Sequence, residues 1–250
     1  MEKRGQLTIF IIIAVVIIAL GIMVYFFMPQ VRTGFGVSTN NPLLFMQDCM
    51  KESVQKAVDQ ISVQGGSINP QKYLLYNNQK LEYLCYTEEY YTTCIMQQPL
   101  LKQHFESEIK SQISSEANSC LDSMKQSFEK QGYTVNLVKG NTDVELIPNK
   151  VQVIFQNSLT LTKTGTERYD NITVSIDKST YDLVSIANSI LNMEARYGDS
   201  ETTVYMDYYH NIKVEKNKQT EGTKIYIITD RNTGDKFQFA TRSVAWPPGI

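Results

Sequence analysis

The chain has 250 residues, a formal charge of −2, four cysteines and two histidines. Beyond Met28 it carries 22 basic and 25 acidic residues, a net of −3. That balance excludes a nucleic-acid binder, which needs a basic face to displace counterions from phosphates. With the opening segment set aside, the remainder is long enough for one large or two small domains, each with a buried core.

The first six residues, MEKRGQ, are a short basic leader. From Leu7 to Met28 there is no charged residue, and only Thr8 and Tyr25 carry a polar group. A helix of that length reaches ~33 Å, which matches a bilayer core of ~30 Å, so residues 7–28 are expected to span a membrane. A cleaved secretory signal has an apolar stretch of only ~7–15 residues before a small-residue cleavage site. Here the run is longer and ends in bulky Val24-Tyr25-Phe26-Phe27-Met28. Lys3 and Arg4 precede the span, whereas Pro29 to Met50 holds a single basic residue, Arg32. The positive-inside tendency then keeps the N-terminus cytoplasmic and the C-terminal body outside, a single-pass arrangement whose first partner is the lipid bilayer.

Residues 29–42 are rich in glycine, proline and small polar side chains and read as a linker. A helix is expected after Asn41, with Pro42 in its first turn, an apolar stripe of Met46, Met50, Val54, Ala57, Val58 and Ile61, and a stop at Gly65-Gly66. A longer helix begins near Pro99, its stripe running from Leu101 and Phe105 to Met124 and Phe128, and ends near Gly132. Between them lies KYLLYNNQKLEYLCYTEEYYTTC, where Asn77-Asn78 between two strand-like runs predicts a β-hairpin. Of its tyrosines, Tyr73, Tyr83, Tyr86 and Tyr90 are candidate recognition groups, since a rigid ring offers contact area at low entropy cost. The plainer alternative is that they cover a small sheet.

From Tyr133 the period becomes two. Val144/Leu146, Val151/Val153/Phe155, Leu159/Leu161 and Ile172/Val174/Ile176 alternate with polar residues, and Gly140-Asn141, Pro148-Asn149 and Thr164-Gly165 supply the turns. A third helix is expected from Thr180 to Tyr197, capped by Ser179 or Thr180 and closed by Gly198. Strands follow at Thr203–Tyr208 and Ile212–Val214, and a last hairpin joins KIYIITD to DKFQFAT across Arg231-Asn232-Thr233-Gly234.

Four cysteines in a segment placed outside the cytoplasm suggest disulfides. Cys-x8-Cys lacks the short chelating loop of a zinc ribbon, so no metal site is expected. The favoured pairing is Cys85 with Cys94, closing the hairpin, and Cys49 with Cys120, stapling the first two helices; four free buried thiols are the alternative. Asn171-Ile172-Thr173 is an N-glycosylation sequon. No catalytic motif stands out. His104 sits near the start of the long helix, and Asp207 with His210 in Asp-Tyr-Tyr-His is read as a solvated loop rather than a dyad.

KRGQLT before an apolar helix resembles the class III signal peptide of archaeal type IV pilins, in which a membrane peptidase cuts between a glycine and a following glutamine. That resemblance implies processing between Gly5 and Gln6, with Thr8 where the family usually has serine. Phe10 stands where the family usually carries a glutamate that meets a neighbouring subunit's amine, a departure that bears on polymerisation more than on processing. The layout, with Gln64-Gly65-Gly66 after a cysteine-bearing helix and Phe237-Gln238-Phe239-Ala240 near the end, also resembles single-span envelope proteins of small-genome archaea. It implies a compartment and no activity.

The expected fold is α+β: an N-terminal transmembrane helix, then a two-helix hairpin carrying a β-hairpin insert, then an antiparallel β-sheet packed with one helix. The expected segments are a leader at 1–6, the span at 7–28, a linker at 29–42, a helical region with the tyrosine-rich hairpin at 43–132, and an α+β domain at 133–250. The function expected is that of a non-enzymatic, membrane-anchored envelope protein, pilin-like in its entry to the membrane, with other envelope proteins or surface glycans as partners and no cofactor. A tethered recognition module using the tyrosine hairpin and an anchored hydrolase with a site built from scattered residues are the alternatives.

Overall fold

The structure, a computed structural model, describes residues 41–245. The expected leader with Gly5 and Gln6, the expected span and all but the end of the linker lie outside the described residues. Among the described residues no helix is long and apolar enough to cross a membrane.

Helix α1 (Pro42–Val63) starts where the Asn41 side chain accepts a hydrogen bond from the Leu43 amide at 2.8 Å. Pro42 sits in its first turn, where a missing N–H costs nothing. Its stripe from Met46 to Ile61 is buried against α2 (Leu101–Lys130), whose own stripe runs from Leu101 through Phe105, Ile109 and Ile113 to Phe128. A disulfide between Cys49 and Cys120 joins the two helices with Cα atoms 6.0 Å apart. The residues it links are separated by 71 positions, a closure that removes about 4 kcal/mol of chain entropy from the unfolded state.

The tyrosine-rich segment forms β1 (Tyr73–Tyr76), β2 (Gln79–Tyr90) and β3 (Ile95–Met96). Asn77 and Asn78 both adopt positive φ, 49° and 63°, as the tight turn between β1 and β2 requires. The Cys85–Cys94 disulfide closes the β2–β3 turn with Cα atoms 5.3 Å apart. Next come β4 (Thr134–Val138), β5 (Thr142–Ile147), β6 (Lys150–Thr162) and β7 (Thr166–Asp177), all antiparallel, with β6 paired to β7 on one edge and to β4 and β5 on the other. Helix α3 (Thr180–Tyr197) ends on Gly198 at φ 76°. After it come α4 (Thr203–Tyr208), β8 (Ile212–Lys218), a 3-10 turn (Thr220–Gly222), β9 (Thr223–Asp230) and β10 (Lys236–Val244).

The fold is α+β, and three details differ from the expectation. Among the described residues there are two sheets, not one: β4 to β7 make the first, and the second runs β1-β2-β10-β9-β8 with β3 on β2. The second sheet is not purely antiparallel, because β2 pairs in parallel with β10. A lone hairpin cannot bury its apolar side, and the free edge of β10 gives it a partner, so the expected insert is a structural part of the C-terminal sheet. Finally, Thr203–Tyr208 is helical, not a strand. Glu201 accepts hydrogen bonds from the amide and hydroxyl of Thr203 in its first turn. The adjacent Tyr205 and Met206 are both partly buried while Val204 and Tyr208 are exposed, which breaks the period of two.

All three long helices touch both sheets, so one continuous core joins the two layers. α3 buries the broadest arc, from Thr180 and Leu183 to Leu191 and Glu194. Ser179 precedes it without capping it, because the hydroxyl instead donates to Asp230 at 2.6 Å. The edge strands are tied by side chains that imitate strand partners. Gln47 both donates to the Ser175 carbonyl and accepts from the Ser175 amide on β7, and Glu106 accepts from the Leu146 amide on β5.

A charged cluster lies where α3 meets β9. The buried Lys224 ammonium donates to Glu194 at 2.7 Å and to the Gly198 carbonyl, and the Tyr226 hydroxyl donates to the other Glu194 oxygen. Burial pushes the Glu194 carboxyl up, and Lys224 opposes that shift. Burial and the neighbouring Glu194 raise Tyr226 and keep it a hydrogen-bond donor. Lys224→Met should therefore cost about 3–5 kcal/mol, because it strands a buried carboxylate. Urea unfolding would read this as a lowered midpoint, and the double variant Lys224→Met/Glu194→Leu should recover most of it.

Asp199, beside this cluster, responds to acid. Burial pushes its carboxyl up, but hydrogen bonds from Lys216 and Lys218 and the charge of Lys224 outweigh burial and lower it from 3.8 to about 2. A depressed pKa contributes stability that is complete above the unfolded value and is lost as pH falls through the folded one. The difference in unfolding midpoint between wild type and Asp199→Asn should shrink as pH falls from 3.8 to about 2. A difference that stays constant over that range would contradict the assignment.

Candidate functional site

The loop after α1 runs Gln64-Gly65-Gly66-Ser67 and folds back on β2. Gly65 and Gly66 hold φ at 89° and 105°, a region that side chains disfavour. A Cβ on Gly65 would fall 2.7 Å from the Glu82 Cβ, so glycine is what lets the loop close on the strand. The Glu82 amide then donates to the Gln64 carbonyl at 3.1 Å.

This loop, β2 and the first turns of α2 enclose a polar cavity of about 360 Å³, lined among others by Ser67, Glu82, Gln98, His104, Glu108 and Gln112. Ser67 Oγ lies 2.8 Å from His104 Nε2, and Glu108 accepts from the Ile68 amide at 2.9 Å. Glu82 is only 8% exposed. Ser67 and Gln98 are the neutral polar groups that act on its carboxyl, and Oε2 is shut off from solvent with no group at hydrogen-bond distance. Burial pushes the Glu82 carboxyl up, the charge of Glu108 adds to the shift, and the two hydrogen bonds oppose it.

His104, Ser67 and Glu82 thus form a chain of polar groups of the kind that holds or passes a proton. Ser67 Oγ and His104 Nε2 share one hydrogen bond, in which the imidazole tautomer decides the donor. Among the described residues no side chain bonds His104 Nδ1. Of these groups, sequence reading noted His104 and the two glycines and passed over Ser67, Glu82 and Glu108. The available signal was Glu82, a charge inside the apolar run Leu81-Glu82-Tyr83-Leu84-Cys85.

The tyrosines occupy a different surface. Between Tyr83 and Cys85 the β2–β10 register shifts by one residue. The bulge buries Leu84 and Cys85 together in the main core and brings Tyr83 and Tyr86 side by side, ring centroids 5.1 Å apart in an edge-to-face contact. Tyr83 also covers a second, small apolar cluster of Leu81, Ile225 and Ala240. Lys72 lies 3.7 Å above the Tyr86 ring, Arg242 stands 5.8 Å from Tyr86 and 6.0 Å from Tyr90, and Lys80 lies 4.8 Å over Tyr73. Tyr73 and Tyr90 are exposed, whereas Tyr83 and Tyr86 are half-buried, so one tyrosine group both covers sheet and presents rings outward.

Asp207 and His210 are both exposed and line neither the polar cavity nor the groove of about 290 Å³ that Tyr205 and Tyr209 border. The structure does not bring them into a site. Asn171 is exposed on the edge strand β7 at φ 60°, opposite the register shift in β6. All four cysteines are paired. Comparison with protein-family models, curated proteins and solved structures yields no match to this chain.

Gly65→Ala should cost about 1–3 kcal/mol from the strained backbone and should push β2 away from the loop. The backbone amide resonances of Glu82 and Ser67 would report the displacement. Unchanged shifts at both, together with unchanged stability, would remove Gly65 from the account of the cavity.

Proposed function

We propose that this chain is a non-enzymatic, membrane-anchored envelope protein, its N-terminus cytoplasmic and its disulfide-stapled body outside the cytoplasm. The observation that carries this reading is the pairing of all four cysteines into two disulfides within the body. Such bonds persist in oxidising compartments and are rare in the cytosol. The apolar run at 7–28, with Lys3 and Arg4 before it, supplies the anchor and its direction. The resemblance of KRGQLT to a pilin leader adds processing between Gly5 and Gln6 and an entry route shared with pilin-like proteins.

On this reading the body acts through contacts with other envelope proteins or surface glycans. The surface of choice carries Tyr73, Tyr83, Tyr86 and Tyr90, where the bulge in β2 sets two rings side by side and Lys72, Lys80 and Arg242 flank the set. Aromatic rings and arginine are the groups that most often dominate binding surfaces. The hydrolase alternative loses the Asp207–His210 pair, which is exposed and lines neither cavity.

Three measurements test the proposal. In intact cells the four cysteines should resist a membrane-permeant alkylating reagent until a reductant is added, and external protease should release peptides from the body. Immediate alkylation with full protection from protease would place the body in the cytoplasm and end the proposal. Tyr73→Ala/Tyr86→Ala/Tyr90→Ala should abolish attachment to isolated envelopes without changing the unfolding midpoint by more than about 1–2 kcal/mol.

A further inference from the structure

The groove of about 290 Å³ between α3 and α4 is lined mainly by aromatic rings. Tyr181, Ser185 and Ser189 stand four apart along α3, and Tyr205 and Tyr209 stand four apart on α4 and its C-cap, so each element turns one row of side chains to the groove. The buried Ile186 adds an apolar surface between the rows. Two of the rings are braced: the Tyr205 hydroxyl lies 3.0 Å from Ser189 Oγ, and Tyr209 meets Tyr208 edge-to-face with centroids 4.8 Å apart. Asp182 is the charged group of the lining, and no lysine, arginine or histidine lines the groove with it. Burial and the charge of Asp230 push its carboxyl up, and no cation or hydrogen bond opposes them.

We propose that this groove binds a small quaternary ammonium ion, its methyl groups against the Tyr181, Tyr205 and Tyr209 rings and its charge beside the Asp182 carboxylate. Ring faces carry negative potential, and several of them around one site favour a cation. A quaternary nitrogen has no N–H, so the groove need not supply an acceptor for each hydrogen that a primary ammonium would bring out of water. An anion is disfavoured by Asp182, which no basic group offsets. A neutral polyol fits less well, because hydroxyl protons of the lining are already used within the fold. Ser185 donates to the Tyr181 carbonyl at 2.7 Å, and Ser189 and Tyr205 share one hydrogen bond. With Tyr205 and Tyr209 held by neighbours, two walls of the groove are in place before a ligand arrives.

The inference rests on the groove and stands or falls independently of where the body resides. The test uses the full-length chain purified in a maltoside detergent, which carries no ammonium group, and titrated calorimetrically with choline. Choline should bind saturably. Dimethylbutanol, in which carbon replaces the nitrogen, should not bind, and ethanolamine, which keeps the charge without the methyl groups, should bind at least about threefold more weakly. Glycerophosphocholine separates the two sources of such a cation: binding weaker than choline assigns the groove to a free solute, and tighter binding assigns the same groove to a lipid headgroup. Asp182→Asn and Tyr209→Leu should each weaken choline about threefold or more. Tyr209 is largely exposed, so its variant serves if Asp182→Asn does not fold. Tyr205→Phe, which keeps the ring, should retain most of the affinity. Asp207→Asn removes a nearby exposed charge that does not line the groove and should leave affinity unchanged. No saturable heat with choline, equal binding of dimethylbutanol or ethanolamine, or equal weakening by Asp207→Asn would each overturn the proposal.

Discussion

The parallel ladder between β2 and β10 is the constraint on which the rest of the body depends. It joins strands that lie some 150 positions apart in sequence, and non-local parallel pairing is among the slower steps a chain can take because loop-closure entropy precedes any reward. The ladder is then held from several sides. Cys85–Cys94 fixes the strand beyond the bulge, Cys49–Cys120 fixes the helices beneath, and the Gln64 carbonyl grips the Glu82 amide at the start of the paired stretch. One strand in this position carries Glu82 toward the cavity, Leu84 and Cys85 into the core, and Tyr83 and Tyr86 onto the opposite surface.

That arrangement explains why some of the tyrosines cover sheet while others face outward. Tyr83 is half-buried and packs over Leu81, Ile225 and Ala240, so its ring is part of a small apolar cluster separate from the main core. Tyr86 is braced by Lys72 and Arg242, and Arg242 in turn donates to the Thr87 carbonyl. A ring held from both sides loses little freedom when a partner covers it, which favours binding without demanding new order. Tyr73 and Tyr90 at the margins are free to add contact area.

Much of the fold was legible because it is written in local period. Stripes at three- and four-residue spacing define α1, α2 and α3, Asn77-Asn78 and Arg231–Gly234 mark their hairpins, and helix stripes flanked by Cys49 and Cys120 make their pairing reasonable. What was not legible has no local signature. The partner of β2 is chosen by sheet topology, and the six residues of α4 are too few to separate a helical period from an alternating one. The cavity draws Ser67, Glu82 and His104 from a loop, a strand and a helix, with no spacing that links them. Only the charge at Glu82, inside an apolar run, hinted that the strand faces something polar.

Two of the buried carboxylates among the described residues, Glu194 and Glu82, make an informative contrast. Glu194 is fully buried and fully answered: Lys224 supplies the opposite charge, Tyr226 a hydroxyl proton, and the Gly198 carbonyl takes up another hydrogen of the ammonium. Such a site closes on itself and has nothing left to offer a ligand. Glu82 is nearly as buried, yet its neighbours are a hydroxyl, an amide and a second carboxylate, and one oxygen is unanswered. Within one chain, the first arrangement shows that this fold can neutralise a buried acid when structure alone requires it. The second leaves the acid among neutral and acidic neighbours, so burial and the charge of Glu108 push its carboxyl up with only Ser67 and Gln98 to oppose them.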